Sequence, residues 1–247
     1  MNNEKHERNE KGKNESFRDC CAFSGYEKYK PSGVSWLGEV PEGWEVKRTR
    51  FMLSMNPSKQ EINHLPPESE LVFLPMEAVG DDGTLKIDIL RPVSEVINGY
   101  TFFAVGDVTF AKITPCFENG KGALMLGLAT GYGFGSIELT VLRPGSALNE
   151  KYLYYLTFSE AFRKNGEAWM YGAGGQKRVP DEFIKEFLIG FPPLPEQQVI
   201  AAFLDRETSK IDALVSKMET AIERLKEYRT SLISSVVTGK IDVREEV

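Results

Sequence analysis

The sequence predicts an α+β chain: a β-rich globular domain over residues 31–193, then one long C-terminal coiled-coil helix over residues 194–237. Three observations predict it. Short apolar runs bounded by turn residues recur from Trp44 to Phe191. The composition changes abruptly at Phe191-Pro-Pro-Leu-Pro195. Beyond Pro195, apolar residues fall at a seven-residue spacing with neither Gly nor Pro to interrupt them before Gly239.

Taken in order, residues 1–30 are rich in Asn, Glu and Lys and read as a flexible tail, with order beginning near Tyr29-Lys-Pro-Ser-Gly-Val-Ser-Trp36. Leu71–Leu74, Thr101–Val105, Asp107–Ile113 and Ile137–Leu142 read as strands. Gly131-Tyr-Gly-Phe-Gly135 reads as a tight hairpin, because no helix follows it as a nucleotide loop would require. One helix is predicted from Asn149, a good N-cap, through Lys151–Phe158 toward Lys164.

Pro195 suits the first turn of a helix, and Glu196 suits the positive end of its dipole. The seam then runs Leu204, Ile211, Met218, Leu225 and Leu232, flanked by Leu214 and Tyr228. About 40 helical residues span on the order of 60 Å, too long to lie wholly on one small domain. These seven side chains are therefore the expected interface with a second helix. Thr238-Gly239 ends the element, and residues 238–247 are read as a tail.

Composition restricts function. Three Cys, with Cys20 and Cys21 adjacent and Cys116 alone, are too few for a secreted disulfide framework, and two His supply a zinc site poorly. No apolar run approaches a membrane span and the N-terminal residues lack an apolar signal core, so a cytoplasmic location without membrane contact is expected. The net charge of −6 argues against a simple electrostatic nucleic-acid binder, although the local field at a docking face is what counts. There is no phosphate-binding Gly-Lys-Ser/Thr loop and no Asn/Asp-Pro-Pro-aromatic methyltransferase motif. His6 and His64 have no evident nucleophile beside them. No catalytic or metal-binding set is expected.

Two loops are rich in groups that bind DNA. Lys112–Lys121 offers two cations, a hydroxyl in Thr114 and an amide in Asn119. Tyr171-Gly-Ala-Gly-Gly-Gln-Lys-Arg-Val179 combines glycines, which let a partner approach, with Gln176, Lys177 and Arg178. Such side chains read base edges or hold phosphates.

The segment Pro193-Leu-Pro-Glu-Gln-Gln-Val-Ile-Ala-Ala-Phe-Leu-Asp-Arg-Glu-Thr-Ser-Lys-Ile-Asp-Ala-Leu214 resembles the helical region of type I restriction specificity subunits. So do Ser231–Arg244, Ser35–Val46, Lys112–Lys121 and Gly135-Ser-Ile-Glu138. The last adds Ser136 to the candidate DNA contacts, which are Lys112, Thr114, Asn119, Lys121, Ser136, Gln176, Lys177 and Arg178. Ile137 stands where a hydroxyl residue is common, and Gln198 where a basic one is frequent.

The resemblance implies a division of labour. A non-catalytic specificity subunit binds half of a bipartite duplex DNA target with each recognition domain. Modification subunits supply S-adenosylmethionine and methylate a flipped adenine. Restriction subunits supply ATP-driven, Mg-dependent translocation and cleavage. No cofactor is expected in this chain itself. Family members usually carry two recognition domains and two helices, whereas this sequence shows one of each, so a half-length form is expected. Two copies, or this chain and a different half-subunit, would pair through the long helix. An isologous pairing implies an interrupted palindrome as target. The alternative at this level is a coiled-coil scaffold without DNA recognition of its own.

Overall fold

A computed structural model describes residues 24–244. His6, Cys20 and Cys21 lie outside the described residues. In chain order the elements are β1 (Tyr29–Pro31), β2 (Glu39–Pro41), β3 (Glu45–Arg48), β4 (Leu53–Met55), β5 (Glu70–Leu74), β6 (Leu90–Pro92), α1 (Val93–Val96), β7 (Thr101–Ala104) and β8 (Val108–Ala111). They continue with β9 (Gly122–Leu124), β10 (Tyr132–Gly135), β11 (Leu139–Pro144), α2 (Glu150–Phe158), α3 (Glu160–Trp169), β12 (Tyr171–Ala173), β13 (Gln176–Arg178), α4 (Asp181–Glu186), β14 (Leu188–Phe191) and α5 (Leu194–Val237). The β-rich domain and the long C-terminal helix are thus both present.

Two four-stranded sheets carry the domain, ordered β6-β5-β10-β7 and β4-β11-β8-β9. Buried Val72, Leu74, Phe103, Ala111, Met125, Leu139 and Val141 fill the space between them. Ile62, Phe73, Val96, Phe102 and Phe134 form a second cluster centred on the first sheet. A third, aromatic cluster (Phe110, Phe117, Phe162, Phe183 and Phe187) packs α2, α3 and α4 onto the second sheet. Among the described residues, all but one strand pairing is antiparallel. The exception sets β10 parallel to β5, with Gly133 opposite Val72 and Gly135 opposite Leu74.

That pairing corrects the reading of residues 131–135. Tyr132–Gly135 form a central strand, not a hairpin tip. Gly133 is needed because a Cβ there would sit 2.4 Å from the Phe103 ring, closer than any real contact. The predicted single helix after Asn149 is two. Asn149 Oδ1 caps α2 by accepting from the Lys151 and Tyr152 amides at 3.1 and 3.0 Å. Ser159, with extended backbone, ends α2 and caps α3 by accepting from the Phe162 amide at 3.2 Å. The last predicted strand begins at Leu139, since residues 136–138 form a turn between the two sheets.

Most of the expected N-terminal tail, residues 1–23, lies outside the described residues, and Tyr26 already contacts the domain. The Tyr26 hydroxyl donates to Glu196 Oε1 at 2.6 Å, and Trp44 Nε1 donates to the same oxygen at 3.0 Å. The first turn of α5 is thereby tied to the start of the domain. Gln197, fully buried, completes the joint: its Nε2 donates to the Ala147 and Pro192 carbonyls at 3.1 and 2.9 Å, and its Oε1 accepts from the Asn149 amide at 2.8 Å. Two turns later, Asp205 pairs with Lys151 and accepts from the Tyr155 hydroxyl at 2.8 Å.

Leu204 is half-buried where α5 still lies on the domain, so the free seam starts later than its first predicted member. From there α5 leaves the domain. Ile211, Leu214, Met218, Leu225 and Tyr228 are 59, 59, 67, 66 and 65% exposed. Leu232 is 39% exposed. No helix among the described residues is long and apolar enough to cross a membrane.

Candidate nucleic-acid interface

Loop 112–121 leaves β8 and is pinned from below. The Arg163 side chain, 7% exposed, donates to the carbonyls of Thr157, Phe117 and Gly120 at 2.7, 3.0 and 3.1 Å. Its guanidinium also lies 4.9 Å from the Phe117 ring centroid. Burial pushes this guanidinium down to about 10, against the nearby Glu167 and Tyr154. The carbonyl oxygens carry partial negative charge, so they hold the cation without a buried carboxylate.

The other candidate loop is the β12–β13 hairpin. It closes through Gly174 and Gly175, at φ 62° and 77°, the left-handed pair that a two-residue hairpin turn requires. These glycines therefore build the turn itself. Residues 171–177 are all exposed.

The hairpin and loop 112–121 are stitched together. Thr114 Oγ1 donates to the Gly175 carbonyl at 2.6 Å and accepts from the Lys177 amide at 3.0 Å, while the Thr114 amide donates to the Lys177 carbonyl at 3.0 Å. The 136–138 turn joins from a third direction. The Lys112 amide donates to the Glu138 carbonyl at 2.8 Å, and the Glu138 carboxylate takes a two-bond contact from Arg178. Ser136 Oγ accepts from the Glu138 amide at 3.3 Å, which fixes the turn.

The eight predicted contact residues therefore divide by role. Gln176 and Lys177 project from the exposed hairpin, and Asn119 is exposed at the end of its loop. Lys112 is half-exposed beside Glu138. Thr114 and Ser136 spend their hydroxyls on holding the loops. Lys121 points inward, donating to the Met76 and Val79 carbonyls at 3.1 and 3.0 Å, and so braces the loop. Arg178 is engaged by Glu138. Sequence reasoning missed Arg163, which lies on a helix that reads as an ordinary polar one, and Glu138, noticed only within a motif.

A family model described as the type I restriction modification DNA specificity domain matches residues 94–224. The chain belongs to this family. The matched region contains both loops, the hairpin and more than half of α5. Among curated relatives, the chain is similar to the Escherichia coli type I restriction enzyme EcoAI specificity subunit, 38% identical over 205 residues covering 82% of this chain and 34% of that one. It is also similar to the Escherichia coli EcoEI specificity subunit, 36% identical over the same shares of each chain. The chain thus spans about a third of the length of these two relatives. In fold, it is similar to the HsdS subunit from Thermoanaerobacter tengcongensis, with a TM-score of 0.56, 21% identity, and 71% of this chain and 44% of that one covered. A chain from a structural study of complex assembly and conformational transition of the type I R-M system gives a TM-score of 0.57 at 18% identity, with 84% and 48% covered.

Proposed function

We propose that this chain reads one half of a split duplex DNA target for a type I restriction–modification complex and performs no catalytic step itself. The observation that carries this reading is the convergence of three segments distant in sequence. Loop 112–121, the 136–138 turn and the β12–β13 hairpin are hydrogen-bonded into one exposed ridge. A two-stranded ribbon of this kind fits the major groove, where Gln pairs with adenine and Lys with guanine or phosphate. Lys112, Lys177 and Asn119 supply the remaining polar contacts. A scaffold without DNA recognition has no use for such a ridge.

In this reading the modification subunits bring S-adenosylmethionine and the methyl transfer, and the restriction subunits bring ATP, Mg and cleavage. The exposed seam of α5 is the surface that takes a second helix, from another copy of this chain. Pairing about a two-fold axis places two ridges in inverted orientation on one duplex, at a spacing that α5 sets.

Comparison of methylated adenines genome-wide, with and without the gene, tests the assignment. One interrupted motif is expected to lose methylation on deletion; an unchanged methylome overturns the reading. At the residue level, Gln176→Ala is expected to relax the preference at one base pair at a cost of about 1–3 kcal/mol. Lys177→Ala is expected to weaken all sequences alike and reduce the salt slope by about 1.

A further inference from the structure

Beside the ridge lies a groove of about 540 Å³, bordered by Ser136 but by none of the hairpin residues. Phe73, Pro75 and Met76 line it on one side, Asn98 and Tyr100 on another, and Ser136 with Ile137 border it toward the ridge. Ile137 is 57% exposed, although its neighbours Phe134 and Leu139 are completely buried. We propose that Ile137 is a base-reading residue, seated against the C5-methyl group of a thymine in the major groove. This rests on the DNA-reading assignment above and extends it.

The exposure of Ile137 is built into the fold. The Ser136 amide donates to the Leu74 carbonyl at 3.0 Å, the Leu139 amide donates to the Ser136 carbonyl at 3.0 Å, and the Glu138 amide donates to Ser136 Oγ. A turn held at three points keeps this β-branched side chain at the surface. The next residue, Glu138, holds Arg178 and thus the base of the hairpin. Ile137 is thus one residue from the ion pair that anchors the hairpin carrying Gln176 and Lys177.

The chemistry around it selects the occupant. Arg91 stacks on Phe73 of the groove lining, its guanidinium 4.6 Å from the ring centroid, and Lys112 stands beside Glu138 next to the turn, while exposed Glu77 also lines the groove and keeps phosphate toward the two cations. Cations flanking an apolar side chain suit two phosphate strands flanking a groove floor. The apolar feature on that floor is the thymine methyl. The exposed amide of Asn98 has the donor–acceptor pair that adenine N6 and N7 require.

The test uses the full chain with its modification subunits. Selection from randomised duplexes defines the bound half-site. Each thymine in it is then replaced singly by deoxyuridine, which keeps base pairing and removes only the methyl group. At one position the unaltered chain is expected to lose about four-fold in affinity, the worth of one buried methyl. The loss is expected to vanish in Ile137→Ser and to persist in Gln176→Ala. A half-site without a uracil-sensitive position, or a sensitivity that survives in Ile137→Ser, overturns the proposal while leaving the DNA-reading assignment intact. Weakened modification-subunit binding by Ile137→Ser with base preference unchanged also overturns it, making Ile137 a protein contact. Selection that returns no base preference overturns both readings.

Discussion

Glu138 receives both arms of the Arg178 guanidinium, Nε donating to one carboxylate oxygen at 2.9 Å and Nη2 to the other at 2.6 Å. The pair joins a turn between the two sheets to the hairpin that carries Gln176 and Lys177. Arg178 is thus a positioning residue, and the orientation of the hairpin depends on a charge.

That charge makes the hairpin pH-sensitive. The Arg178 hydrogen bond holds the Glu138 carboxyl below its usual range, with partial burial opposing and Arg178 and Lys112 charge assisting. The linkage is that of a depressed carboxylate. Its contribution is complete above the unfolded value near 4.5 and is lost as pH falls through the lower folded value. The Arg178 Nε resonance is expected to titrate with a midpoint below 4.5, and Glu138→Gln to abolish that titration. A midpoint at or above the ordinary carboxylate range contradicts the pairing.

Arg163 holds three main-chain carbonyls with one planar fork, a geometry that an ammonium group does not reproduce. Arg163→Met leaves these oxygens without their donor and is expected to cost about 3 kcal/mol. Urea unfolding should show a lower midpoint at unchanged slope. Arg163→Lys is expected to recover less than half of the loss.

Gln197 both donates and accepts at the base of α5, so its carboxylate analogue is the sharper probe. Gln197→Glu keeps the size but turns an acceptor toward the Ala147 and Pro192 carbonyls. A destabilisation of about 2–4 kcal/mol is expected, larger than that of Gln197→Ala. Thermal unfolding of the three proteins, compared at neutral pH, orders them.

The seam residues beyond Ile211 touch solvent, and substitutions there separate assembly from folding. Met218→Glu with Leu225→Glu is expected to move the sedimentation coefficient of the full chain to that of a monomer. The thermal transition of the domain should stay within about 0.5 kcal/mol of the parent, as for surface changes generally. Unchanged sedimentation argues against pairing through this face.

Legibility in the sequence follows the range of the interactions. The bounds of α5 were readable because Pro195, the heptads and Gly239 are local signals. The Asn149 cap was readable for the same reason. The parallel β5–β10 pair was not, because residues about 60 apart decide it and a Gly-rich strand lacks the usual alternation. Among the candidate contact residues, type and neighbourhood were readable in the sequence, and orientation was not. Lys121 and Lys177 look alike in sequence, yet the first faces carbonyls and the second solvent. Gln197 had a usable signal: it stands four residues before buried Ala201, on the same helical face.

The Tyr26–Glu196–Trp44 joint has a consequence in angular terms. A tilt of about 10° at the base of a helix on the order of 60 Å long sweeps its far end through an arc of about 10 Å. That arc equals roughly three base pairs of duplex. A glutamate in the first turn, held by an indole and a phenol of the domain, thus acts as the bearing of the helix, and in the proposed DNA-reading role the stiffness of that contact bounds how finely two half-sites are spaced.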